Sequence, residues 1–207
     1  SRQVEARRFA AAELARLGTA VDALLDALEV MKDADFQVRR HLFVVLAVHG
    51  SAARLAAPFV IATMNAILQD DARQEGSLEL FRQASITLPK IGDVGQAIPI
   101  WTRGLKSRDP GVRKEVVQSL GAVGPAARKA AKELCTLLDD PDVGNAVGDL
   151  LVKLRGDDVV RALCEVIDES TSVPAKLVAV RVVGRIGPEA KDAYQMLFRA
   201  STRYRGK

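Results

Sequence analysis

The sequence predicts an all-α protein built as a row of short helical hairpins, on three observations. Alanine, leucine and valine dominate a composition that is 48% apolar and only 4% aromatic, which suits closely packed helices better than a β-sandwich. Glycine recurs at a near-constant interval, each time closing an apolar stretch. Between the glycines, apolar residues return at three- and four-residue steps, the spacing of one helical face.

The repeat frame comes from the stretches LARLG, LAVHG, LPKIG, LGAVG, VKLRG and VGRIG, which end at Gly18, Gly50, Gly92, Gly124, Gly156 and Gly187. Their spacings are 32, 42, 32, 32 and 31 residues, a period expected of a stacked array. Four copies carry a small or branched apolar residue and then a basic one, twelve residues before the glycine: Ala6-Arg7, Val38-Arg39, Val112-Arg113 and Ala175-Lys176. Two copies have drifted, to Leu80-Phe81 and Val143-Gly144.

Each element has its own local reason. Turns rich in Asp and Pro precede the apolar-basic pair, around Asp33 and Asp35, Asp109-Pro110 and Asp140-Pro141. Asp supplies an N-cap oxygen, and Pro fits a first helical turn. The glycines are expected to take the left-handed conformation that ends a helix, and Pro125 and Pro188 then start the next one. Within one period Val116, Val117, Leu120 and Val123 form one stripe, and Ala127, Ala131, Leu134 and Leu138 a second. A single period is thus two helices, and stacking hairpins completes a core that neither hairpin buries alone.

In this frame the chain is one repeat domain, 1–207. An orphan helix covers 1–18, hairpins fall at about 19–50, 51–92, 93–124, 125–156 and 157–187, and a terminal helix occupies 188–207. The 42-residue step points to about ten extra residues in the polar stretch 69–77, either a functional loop or a tolerated insertion.

The best copy, Asp109 to Asp140, resembles the HEAT repeat, in the short form of phycobilisome-lyase-type HEAT-like proteins, and the resemblance covers essentially the whole chain. It implies a right-handed α-α superhelix, a solenoid. It also implies that the helix bearing Val-Arg lines a concave face, and that Asp33, Asp109, Arg39 and Arg113 form a ladder between repeats. About function the motif says little.

Chemistry is sparse. Cys135 and Cys164 form no CxxC pair and read as small core residues of a reducing, cytoplasmic compartment. His41 and His49 stand eight residues apart on one expected helix, too few ligands for a metal site. No GxxxxGK loop, GxSxG elbow or Cys-His pairing occurs. The acidic pairs Asp70-Asp71, Asp139-Asp140 and Asp157-Asp158 fall at expected helix starts, where capping accounts for them. Catalytic, cofactor-binding and metal-binding residues are therefore all expected to be absent. No uninterrupted apolar run reaches the roughly 18 residues of a membrane span, so no membrane insertion is expected. Because Ser1 stands where an initiator Met would, a processed chain or a piece of a longer array is a further expectation.

Net charge is +4 and the isoelectric point about 9.2, which permits an acidic partner without demanding one. Residues 140–171 hold three basic and eight acidic side chains, and 172–207 hold eight basic and two acidic, so neighbouring blocks have opposite sign. Three function classes follow. The first is a non-catalytic scaffold for a protein or peptide, using Arg8, Arg40, Lys114 and Arg181 on the concave row, with Arg199, Arg203, Arg205 and Lys207 as a basic tail. The second is DNA or RNA backbone binding through a basic concavity, opposed by the acidic fifth repeat. By resemblance alone, a bilin-lyase-like enzyme is the third. Trp101, in QAIPIWTRGL, is expected to pack and not to touch bases.

Overall fold

The computed structural model describes residues 36–70, 74–92, 94–191 and 193–195. The protein is all-α: nine α-helices and three 3₁₀ helices, with no strand, occur among the described residues. The chain divides into two compact units, Ser1–Ser119 and Leu120–Lys207. The expected orphan helix 1–18 and most of the hairpin 19–50 lie outside the described residues.

In the first unit α1 (Phe36–His49), α2 (Ala57–Gln69), α3 (Ser77–Ile91) and α4 (Val94–Gly104) are followed by α5 (Pro110–Ala122), within which the division falls. Both α1 and α2 pack along α3, and α2 also packs on α4. Phe43, Leu46, Met64, Leu80, Phe81, Leu88 and Trp101 are fully buried there. Phe43 meets Phe59 edge-on, with ring centres 6.1 Å apart. The Trp101 indole N–H donates to Ser85 Oγ at 3.2 Å, so the expected packing role holds and the one polar atom of the ring is satisfied.

A 3₁₀ helix, Gly50–Ala56, joins α1 to α2. Read as one 34-residue run, Phe36–Gln69 is long and apolar enough to cross a membrane by length and composition, with a third of its most apolar window buried. Scattered small and polar residues interrupt the run without making the window hydrophilic. The backbone breaks at Gly50, with φ +56°, and at Ala53, and each half packs separately on α3.

The second unit holds the 3₁₀ helix Gly124–Ala130, α6 (Ala131–Cys135), α7 (Gly144–Leu154), α8 (Asp157–Glu169), α9 (Val173–Ile186) and the 3₁₀ helix Gly187–Ala190. Here α8 packs between α6 and α9, while α7 lies against α9 and the first 3₁₀ helix. The apolar stripe Ala127, Ala131, Leu134 and Leu138 is buried as expected.

Helix termini follow the sequence reading in most copies. Gly50, Gly124, Gly156 and Gly187 have positive φ. Gly92 departs from this: it is extended, with φ −131° and ψ −168°. In that copy the left-handed glycine is Gly76, φ +83°, the residue before α3, in the connector that the 42-residue step pointed to. The drifted copy Val143-Gly144 also has a local cause. A Cβ at Gly144 would stand 2.8 Å from the Leu138 carbonyl oxygen, so the backbone approach excludes the basic residue found there in other copies.

Candidate functional site

The turns that carry the repeat motif are built as expected. Asp109 Oδ1 accepts from the backbone N–H of Gly111 at 2.6 Å and of Val112 at 3.4 Å. Asp140 Oδ1 does the same for Asp142 and Val143, at 2.8 and 3.0 Å. Ser172 Oγ accepts from Ala175 N–H at 3.2 Å at the start of α9. Arg113 Nη1 donates to the carbonyls of Ser107 and Arg108, at 2.9 and 3.0 Å, tying the helix back to its own turn.

A second set of polar contacts joins residues roughly one period apart. Arg82 Nε donates to Glu115 Oε2 at 2.8 Å, and Lys132 Nζ lies 2.9 Å from Glu165 Oε2. Ser172 Oγ donates to Asp139 Oδ2 at 2.6 Å, Arg155 Nη1 to Glu189 Oε1 at 2.9 Å, and Arg185 Nη1 to Asp149 Oδ1 at 2.7 Å.

The residues singled out from sequence are dispersed. Arg40, on α1, is half-buried and its Nε donates to Gln37 Oε1 at 3.1 Å. Lys114, on α5, and Arg181, on α9, are exposed. Arg8, Arg199, Arg203, Arg205 and Lys207 lie outside the described residues. His41 Nδ1 donates to the Gln37 carbonyl at 2.7 Å, and no group of three or more His, Cys, Asp or Glu able to hold a metal occurs among the described residues.

A feature that the motif search did not find lies in the second unit, on α6 and α8. Two adjoining hollows, of about 370 and 310 Å³, share Lys132, Ala162 and Glu165. The larger has Asp139, Glu165 and Glu169 on its walls against a single cation, Lys132, and its floor includes Cys135, Ala162 and Ala175, all buried. The smaller has Arg128, Lys129, Lys132 and Arg161 against Asp158 and Glu165. The Lys132–Glu165 bridge marks the junction, so the groove has an acidic arm and a basic arm.

Several of these charges are already engaged. Arg128 Nε donates to the Leu154 carbonyl at 2.9 Å, across the end of α7. Asp139 takes the Ser172 hydroxyl, and Arg161 stands 3.8 Å from Asp158. Lys129 and Glu169 are exposed and have no ion pair among the described residues. The Lys132 ammonium is held above its ordinary pKa, first by its hydrogen bond to Glu165 and then by that carboxylate's charge. Burial, with a smaller push from Glu165, drives the Cys135 thiol up to about 12, so at neutral pH it is a protonated part of an apolar floor and not a nucleophile. The other cysteine, Cys164, is only half-buried.

Exposed apolar side chains also cluster by element. Val173, Leu177 and Val180 stand one turn apart along α9, and Val44 and Val48 one turn apart on α1. Together, fold and site define an all-helical protein of about nine helices with a charged groove on its second unit. Comparison with protein-family models and with curated proteins finds no match.

Proposed function

We propose that this chain is a non-catalytic protein-binding scaffold, a solenoid of HEAT-like hairpins that presents helix surfaces to a protein or peptide. The groove on α6 and α8 carries the reading: it is open, lined by charges of both signs, and has apolar atoms among its lining, so it offers both charge and apolar contact to a polypeptide. Polar contacts thirty-three to thirty-six positions apart match the sequence period and support the repeat architecture. The exposed apolar residues on α9 and α1 add contact area of the same kind.

Selection from a displayed library of random twelve-residue peptides against the full chain tests this. Enrichment of sequences that bind in the micromolar range is the expected result. Failure to enrich any sequence would remove the scaffold reading.

Lys114 and Arg181, exposed and without an ion pair among the described residues, favour a second reading, a nucleic-acid backbone. Duplex DNA binding is measured across a salt series for the wild type and for a charge-reversed Arg40, Lys114 and Arg181 variant. Binding that weakens steeply with salt and is lost in the variant supports phosphate neutralisation. No binding at low salt excludes it.

A further inference from the structure

We infer that the α6–α8 groove takes an extended segment of a partner protein that carries one basic and one acidic side chain about four residues apart. The inference rests on the scaffold reading and names the chemistry its groove selects. The length follows from the helix. Asp158, Arg161, Ala162, Glu165 and Glu169 line the groove from one end of α8 to the other. The eleven steps from Asp158 to Glu169, at a rise of 1.5 Å each, make roughly 16 Å, which an extended chain covers in about five residues. Side chains at i and i+4 of an extended segment point to the same side, so both reach into the groove.

Charge sets which side chains these are. In the acidic arm Glu169 is exposed and forms no ion pair among the described residues, though its charge acts on Lys132, and Asp139 and Glu165 line the same arm. A guanidinium or ammonium group entering there meets carboxylates beside the apolar atoms of Cys135, Ala162 and Ala175, and charge-assisted hydrogen bonds of this kind are stronger than neutral ones. In the basic arm Lys129, exposed and without an ion pair among the described residues, lines the hollow with Arg128 and Arg161, and a carboxylate fits. A nucleic-acid strand suits one arm and is repelled by the other. The three carboxylates are not grouped as metal ligands are, whereas the spread charge of a basic side chain needs no such convergence. Lys132–Glu165 at the centre leaves no net charge for the intervening residues to answer.

The test uses the full chain and fluorescein-labelled peptides with Arg and Glu separated by three alanines, in both orders, and a control with Gln in both places. One mixed-charge order is expected to bind at least tenfold more tightly than the control at low salt, and a Glu169→Lys, Lys129→Glu variant to lose at least tenfold of that affinity. Both positions are exposed, and an unchanged circular dichroism spectrum shows that the variant folds. Equal binding of the control, unchanged affinity in the variant, or no binding of either mixed-charge order overturns the inference. Should the displayed library yield binders that lack the charge pair and bind the variant equally well, the groove assignment fails while the scaffold reading stands. An unenriched library would remove the scaffold reading itself.

Discussion

Arg82 on α3 donates its Nε–H to Glu115 Oε2 on α5 at 2.8 Å, and the two partners are unequally placed. The Glu115 side chain is 6% exposed and that of Arg82 57% exposed. A carboxylate removed from water depends on the charge and hydrogen bond brought to it, whereas the guanidinium keeps much of its hydration. The contact therefore matters more to Glu115 than to Arg82, and it ties two helices thirty-three positions apart.

That asymmetry predicts that Arg82→Ala destabilises the protein by about 1–2 kcal/mol, below the usual cost of breaking a fully buried pair because solvent screens the exposed partner. Urea unfolding followed by Trp101, the single tryptophan and fully buried in the same unit, measures it. Glu115→Gln in the Arg82→Ala background should recover part of the loss, since a neutral amide costs less to bury than a charge. An unchanged midpoint for Arg82→Ala would mean that the carboxylate is satisfied without it.

Glycines equivalent in the repeat differ in the structure. Gly124 has φ +60°, and a Cβ built there meets nothing within 4 Å. The cost of Gly124→Ala is then purely that of a left-handed backbone for an L-residue, about 1 kcal/mol. Gly92 is extended, and its Cβ would find the Leu88 carbonyl oxygen at 3.4 Å and Ala57 Cβ at 3.6 Å, ordinary contacts. For Gly92→Ala the expected effect runs from neutral to slightly stabilising, through the reduced entropy of the unfolded chain. Equal losses at the two sites would contradict the assigned backbone conformations.

Cys135 supplies a pH prediction. Its thiol is raised from 9.0 to about 12, chiefly by burial, so folding favours the protonated form. That contribution to stability is complete below pH 9 and is lost progressively as pH rises from 9 towards 12. At pH 8 about one Cys135 in ten thousand is thiolate, so a disulfide-exchange reagent should modify it far more slowly than the half-buried Cys164. Rapid labelling of both cysteines under native conditions would contradict the burial of Cys135.

Much of the local structure was legible in the sequence. Asp109 and Asp140 cap their turns, and Pro125 and Pro188 open short helices, because caps and turns are settled by side chains a few residues away. The stripe from Ala127 to Leu138 and the buried Trp101 followed from apolar spacing. Gly92 was misread because its sequence context matches the other copies, while its backbone is extended, with the left-handed glycine at Gly76 instead. The break in Phe36–Gln69, by contrast, falls at Gly50, one of the glycines expected to close a helix.

The groove was out of reach of motif reading. Its walls come from the 3₁₀ helix Gly124–Ala130, α6, α8 and the start of α9, and the acidic block 140–171 was its one visible trace. By itself the sequence determined the all-α class and several caps and turns, such as those of Asp109 and Asp140, since propensity, apolar spacing and capping act over single turns. Which charges face one another was decided only by the tertiary structure. Lys132 on α6 meets Glu165 on α8, and Arg82 on α3 meets Glu115 on α5, each across thirty-three positions of chain, and no interaction within one turn specifies that pairing.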